Sequence, residues 1–521
     1  MSAIDTVRPE AQLARRGRNA RKKERQKITK TEAVSPGLLG GRYKPLTEEE
    51  VELVHETALS LLENTGLSQA IPSMVDKVVA VGGRLTDDQR LLFPRKLIEA
   101  TLKNARRDIV LYGRKPGYEM DISGSRVHVG SGGASPNIVD LETGCYRGAT
   151  VKDLYDSTRI IESMEHIHFH SRNLVCRDAE DPLDLDVNTA FACLSGTAKH
   201  IFMSASEPQH IEQIKEICYA IAGGEEAFRS RPFLSIHVCH VVPPMRFAEE
   251  ACETLERAIL AGLPVQLISA GQAGATSPAS IAGSLVQAIS ECLAGLAFSQ
   301  LVDPNVKAIF APKPLVADLR TGSMCGGGGE QAVLMAAAAQ MGRYYDLPTS
   351  SIAGITDSKV SDAQAGYEKN LAVTLAAHAG ANIITQACGM HASLLGVSLE
   401  AYVIDNDMLG GILRSIRGVE VSVDSLAAEV IDEVVRGEGH YLGHDQTLSR
   451  MESDYVYPTI GDRRSPSDWE DDGAKDARER GRDKAREILN TFYPNYIAKE
   501  IEDDFRRRFN ILLTPDQMGR V

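Results

Sequence analysis

The chain has 521 residues, 43% of them hydrophobic and 25% charged, with nine cysteines and no CxxC pair; this excludes disordered, collagenous and small disulfide-rich proteins and matches a globular enzyme with a large core. The net charge of −14 is uneven: residues 1–30 hold ten Arg/Lys against three Asp/Glu, a balance of +7, which leaves −21 for the remainder, a poor surface for nucleic acid. No uninterrupted apolar stretch approaches the roughly 18 residues of a membrane span, and the start is basic where a secretory signal would be apolar. A cytoplasmic protein with neither membrane nor nucleic-acid partner, and with reduced cysteines, is expected.

After the basic arm and linker (1–41), Thr47-Glu-Glu-Glu50 reads as a helix start running through Leu62. Further helices around 72–81 and 94–104 complete an N-terminal helical layer (42–125). From residue 126 the pattern is regular: a short apolar or β-branched run, a Gly/Ser/Pro turn, then a long Ala/Leu/Ile helix. Eight such runs occur, at 126–131, 167–173, 200–205, 233–238, 264–270, 306–311, 349–353 and 382–387. Nearly continuous apolarity in strands separated by helices indicates a parallel sheet covered by helices. Eight units predict an α/β fold of the TIM (βα)8 barrel type over 126–416, followed by a C-terminal helical cap (417–521).

In such a barrel the chemistry lies at the carboxyl ends of the strands. Gly130-Ser-Gly-Gly133 lacks the third glycine of a dinucleotide fingerprint, and Gly326–Gly329 precedes Glu330-Gln331 where a P-loop needs Lys and Ser/Thr. The second run still offers backbone N–H groups to a carboxylate or phosphate, or serves as simple punctuation. His166, His168 and His170 alternate along one strand, and His237 and His240 close the fourth run. A metal would need a further Asp, Glu or Cys, and none is expected. The most polar segment runs from Ala353 to Lys369, after the seventh strand. Ser361 and Asp362 are ordinary helix caps, while Gln364 and Glu368 share a helix face. The eighth strand ends in Gln386-Ala-Cys-Gly-Met-His391.

With these residues in view, the chain resembles the trimethylamine methyltransferase (MttB) family over roughly residues 42–515. The likeness rests on Gly41-Arg-Tyr-Lys-Pro-Leu-Thr-Glu48, Ser269-Ala-Gly-Gln-Ala-Gly-Ala-Thr-Ser-Pro278, Asp318-Leu-Arg-Thr-Gly-Ser323, and Asp357-Ser-Lys followed by Asp362-Ala-Gln-Ala-Gly-Tyr-Glu368. The resemblance implies a TIM barrel that passes a methyl group from a methylated amine to the cob(I)alamin of a separate corrinoid protein. The trimethylamine branch carries pyrrolysine near the end of the seventh strand, where this chain has Ile355 and Thr356. The chain is similar to the nonpyrrolysine branch, whose members demethylate quaternary amines such as glycine betaine.

A quaternary ammonium leaves as a neutral amine, so the protein has only to position and desolvate it. Phe169, Phe202, Phe310 and Tyr367 are the candidate aromatic cage. His237, Gln386 and His391 are polar partners for a substrate carboxylate, and Ile355 and Thr356 line the substrate site. Asp357 and Glu368 are the candidate catalytic residues, as a negative field drawing the cation to the mouth. The expected cofactor is cobalamin on a corrinoid protein partner, and a homo-oligomer is expected. Methyl transfer from a tertiary methylamine or another donor, with an acid in place of pyrrolysine, or noncatalytic betaine binding, are the alternatives.

Overall fold

The computed structural model describes residues 38–520; the basic arm lies outside them. Two compact units divide the described chain. One comprises 38–416 with 458–520, the other 417–457.

The larger unit is built on eight parallel strands: β1 (Arg126–Val129), β2 (His170–Ser171), β3 (Ile201–Met203), β4 (Leu234–Val238), β5 (Val265–Ser269), β6 (Ala308–Pro312), β7 (Ser350–Ile352) and β8 (Ile383–Thr385). Consecutive strands pair in parallel from β2 to β6, and β7 pairs with β8 and β8 with β1. Two bridges, Phe310 with Thr349 and Gly130 with Phe169, close the ring. Each strand falls within or beside one of the eight apolar runs. Long helices follow each in turn: α1 (Val151–Ser163), α2 (Pro182–Gly196), α3 (Ile211–Ala222), α4 (Glu249–Leu260), α5 (Ile281–Val302), α6 (Gly329–Tyr344), α7 (Ala363–His378) and α8 (Leu399–Arg417). This is the (βα)8 barrel the periodicity implied.

Of these helices, α5 is apolar enough by length and composition to cross a membrane, yet 78% of its most apolar window is buried inside the protein. The cause is the N-terminal layer. Helices Glu48–Asn64, Pro72–Ala80 and Arg95–Asn104 pack across α5, so it is covered by the barrel on one side and by this layer on the other. A helix apolar all round is one buried all round. Thr47 caps the first of these helices through a reciprocal box with Glu50, as the sequence pattern requires.

The segment expected as one cap after residue 416 is divided between the two units. Helix Ala477–Thr491 belongs with the barrel, since Arg159 of α1 donates to the Leu489 and Phe492 carbonyls at 2.9 and 2.8 Å. Residues 417–457 carry the short helices Val423–Leu426, Ala428–Arg436 and Asp445–Ser453, and Asp454, at the end of the last of them, pairs with Arg417 at 3.2 Å.

Candidate active site

The floor of the barrel is apolar. A hairpin of strands Val110–Leu111 and Met120–Asp121 sits at the amino ends of the barrel strands, with Arg114 N donating to the Ala198 carbonyl at 2.6 Å and Tyr112 N to that of Pro232 at 3.3 Å. Ile109, Leu111, Met120 and Ile122 from this segment meet Phe169, Phe202, Ile309 and Ile383 in one cluster with no exposed surface. Phe169 and Phe202 stack edge to face at 5.2 Å. Glycine is required beside them, because a Cβ at Gly130 would lie 2.5 Å from the Phe169 ring.

Above this floor the interior turns polar. The strand register sets His237 of β4 opposite Gln266 of β5, and the His237 ring lies 5.0 Å from that of Phe202. Lys313, one residue past β6, turns its ammonium inward to the Gln266 Oε1 and Thr385 Oγ1 atoms, each at 2.9 Å. It is only 3% exposed, and burial pulls its pKa down to about 7. Burial, reinforced by the positive charges of Lys313 and Arg172, holds the His237 pKa well below its usual value, leaving a neutral imidazole. His237 Nε2 and Gln266 Nε2 are buried without a hydrogen-bond partner. Cys239, two residues beyond His237 on the same strand face, is exposed, so the interior opens at the carboxyl end.

The loops over this end are laced together by Asp357 and Glu368. Asp357 accepts from Gly326 N at 2.9 Å, Gly327 N at 3.3 Å, Cys325 Sγ at 3.2 Å and the Ser393 hydroxyl. The glycine run after β6 thus cradles a carboxylate, and that carboxylate is the protein's own. Glu368 accepts from Thr356 Oγ1 at 2.5 Å, Asp357 N at 2.8 Å and Gln364 Nε2 at 2.8 Å. A Cβ at Gly327 would fall 2.2 Å from its carboxylate. Both acids are committed to the loops after β6, β7 and β8.

Strand alternation decides which expected site residues converge. His237 faces the interior, and Phe169 and Phe202 both lie within the sealed floor beneath it. Phe310 points outward: it is paired with Leu267 and packs edge-on to Tyr345 at 5.9 Å, beyond α6. Tyr367 is 65% exposed on α7. Neither faces the barrel interior, and Phe169 and Phe202 are both sealed in the floor, so the four rings do not form a cage and two of them only underlie the interior. Ile355 is 1% exposed and buried against Gly326, and Thr356 is spent on Glu368. His391 lies in the lacing after β8, 3.2 Å from Ser361 Oγ, with its pKa lowered by burial and by the Lys369 and Arg478 charges. Gln386, at φ 58°, packs on Gly132 at the mouth. His168 and His170 are engaged by Val129 N and by Ser131 and Thr158, and among the described residues no three metal-binding side chains converge.

The acidic mouth expected from Asp357 and Glu368 is replaced by a basic interior, because loop N–H groups consume both carboxylates while Lys313 turns inward. Lys313, Gln266 and Thr385 were not read from the sequence. The available signal was position: Lys313 closes the sixth apolar run in Ala311-Pro-Lys-Pro314.

The family model described as trimethylamine methyltransferase (MTTB) matches residues 14–510. The chain belongs to this family. It is a methyltransferase, as its sequence motifs implied. A family member of Desulfitobacterium hafniense named trimethylamine methyltransferase MttB is 29% identical over 88% of this chain and 92% of its own length. A glycine betaine methyltransferase of the same species is 26% identical over 89% of this chain and 96% of its own, and a trimethylamine methyltransferase of Methanosarcina mazei is 30% identical over 90% and 95%. Among solved structures, the monomethylamine methyltransferase of Methanosarcina barkeri aligns over 87% of this chain and 95% of its own, at 12% identity and a TM-score of 0.47.

Proposed function

We propose that this family member removes a methyl group from a quaternary amine, with glycine betaine the favoured substrate, and delivers it to a cobalamin carried by a separate corrinoid protein. The observation that carries the reading is the end of β7. Ile355 is packed on Gly326 and Thr356 is held by Glu368, so this strand presents no electrophile or acid to activate an amine. A quaternary nitrogen needs none, since it keeps the bonding pair and departs as a neutral tertiary amine. The match to a glycine betaine methyltransferase along nearly its whole length supports the same reading.

Cobalamin in its cob(I) state would supply the nucleophile. The loops at the carboxyl end suit a corrin face, because Val242, Leu319 and Leu395 on them are 40%, 69% and 58% exposed and offer apolar cover. The chain's own residues would do the rest. The neutral His237 ring, backed by Phe202 of the sealed floor, forms the base beneath the substrate, and that floor excludes water from below. An uncharged imidazole does not repel the ammonium, as an imidazolium would.

The test is methyl transfer by the full-length protein from glycine betaine to free cob(I)alamin. The expected products are methylcobalamin, followed by its absorbance, and dimethylglycine. Absence of methylcobalamin with all of glycine betaine, carnitine, proline betaine and choline would overturn the proposal. The relatives named for trimethylamine favour a second reading, tertiary amine demethylation, and turnover of trimethylamine in the same assay would establish it.

A further inference from the structure

Among the fully buried lysines, two have complete partners of their own. Lys199 donates to the carbonyls of Ile161, Met164 and Ile167 at 2.6–2.7 Å. Lys369 meets Asp405 at 2.7 Å, which also accepts from Gly389 N. Lys313 differs. Its two acceptors, Gln266 Oε1 and Thr385 Oγ1, are neutral, and no described carboxylate lies within ion-pair distance of it. An ammonium has three N–H donors, so one is left over. Beside it are two further unused groups, Gln266 Nε2 and His237 Nε2, both buried. The barrel interior thus gathers a cation and unused nitrogens around one point with no anion to answer them. A buried charge without a partner is costly, and such a set is retained where a ligand supplies the missing charge.

We propose that Lys313, Gln266 and His237 form the anchor for the carboxylate of a zwitterionic methyl donor, so that the enzyme selects betaines over quaternary amines without a carboxylate. This rests on the quaternary-amine reading above and deepens it. Lys313 supplies the charge and one N–H, Gln266 Nε2 supplies a second donor, and His237 a third in its Nε2–H tautomer. The carboxylate is held below the mouth. The ammonium end then points towards the exposed Cys239 side, where a methyl acceptor enters. The low pKa of Lys313 is in keeping with this, since a neighbouring carboxylate would raise it.

Glycine betaine and choline share the trimethylammonium group and differ at the other end, so their comparison isolates the anchor. Dissociation constants for both are measured by calorimetry on the full-length protein, wild type and Lys313→Met, with circular dichroism to verify the fold. Wild type is expected to bind glycine betaine at least 50-fold more tightly than choline. Lys313→Met is expected to lose at least 20-fold for glycine betaine and less than threefold for choline, and Lys313→Arg to recover part of the loss. Equal wild-type affinities for the two ligands would overturn the anchor without recourse to any variant, as would a folded Lys313→Met that keeps the wild-type preference. The two proposals fail separately. Methyl transfer from betaine by Lys313→Met with unchanged KM leaves the function standing and removes the anchor. Lys313-dependent betaine binding without methyl transfer to cob(I)alamin does the reverse.

Discussion

Replacing Glu368 separates a charge that acts on substrate from one that holds a loop. Its carboxylate takes three hydrogen bonds, from Thr356 Oγ1, Asp357 N and Gln364 Nε2, and it is 8% exposed. Glu368→Ala strands the buried Thr356 hydroxyl and the Asp357 N–H. At about 1–3 kcal/mol for each stranded group, the cost is roughly 2–6 kcal/mol. Glu368→Gln keeps an oxygen for both, and the Gln364 amide can turn its own oxygen to the new NH2. What it loses is the charge assistance, about 1 kcal/mol in total. If the charge served only the loop, glycine betaine kcat/KM for Glu368→Gln should stay within about threefold of wild type. If it drew the ammonium from about 6 Å at an effective dielectric constant of about 20, its removal would cost about 3 kcal/mol, a factor of about 100. The assays are urea denaturation followed by circular dichroism, and methylcobalamin formation at subsaturating betaine. A Glu368→Gln protein with near-wild-type stability and a hundredfold loss of kcat/KM would refute the loop role and return this residue to the substrate.

Three further outcomes are expected. Phe310→Ala should destabilise the barrel by about 3–5 kcal/mol in urea denaturation, by emptying a packed site beside Tyr345, while Tyr367→Ala should change stability by no more than about 0.5 kcal/mol. Neither should alter KM for glycine betaine more than about twofold, and a tenfold rise for Tyr367→Ala would show that this ring does reach substrate. Lys313 sets a pH dependence. Its pKa falls from 10.5 unfolded to about 7 in the native protein, so the unfolded chain holds a proton that the native chain releases across this window. The penalty of burying the charged form is complete below pH 7 and fades as pH rises. Wild type should therefore gain about 2 kcal/mol relative to Lys313→Met between pH 7 and 9; parallel denaturation profiles for the two proteins would show that Lys313 keeps its proton.

Much of the fold could be read from the chain alone, because strand burial and helix amphipathicity are local periodicities. Eight apolar runs spaced by Ala/Leu helices set the barrel, Thr47 with Glu50 set the first helix start, and the Asp357–Glu368 segment identified the family. Near-continuous apolarity also hid the decisive detail. In a parallel barrel both strand faces are buried, so composition does not say which of Ile309 and Phe310 points inward, and the wrong member of that pair entered the expected cage. Closure of the ring settled it, by fixing the register of β5 against β6.

The carboxylates of Asp357 and Glu368 were visible as a polar cluster at the mouth, but the partners of Asp357 come from Gly326, Gly327 and Ser393, far from it in sequence, and only the folded loops join them. Lys313 was equally visible at the end of its run, yet what makes it distinctive is the company of Gln266, Thr385 and His237, drawn from three other strands. The sequence by itself determined the barrel, the family and the methyltransferase class, since each is written in short-range pattern. The tertiary structure decided the sign of the charge at the interior, because charge pairing depends on distance through space and not on separation along the chain.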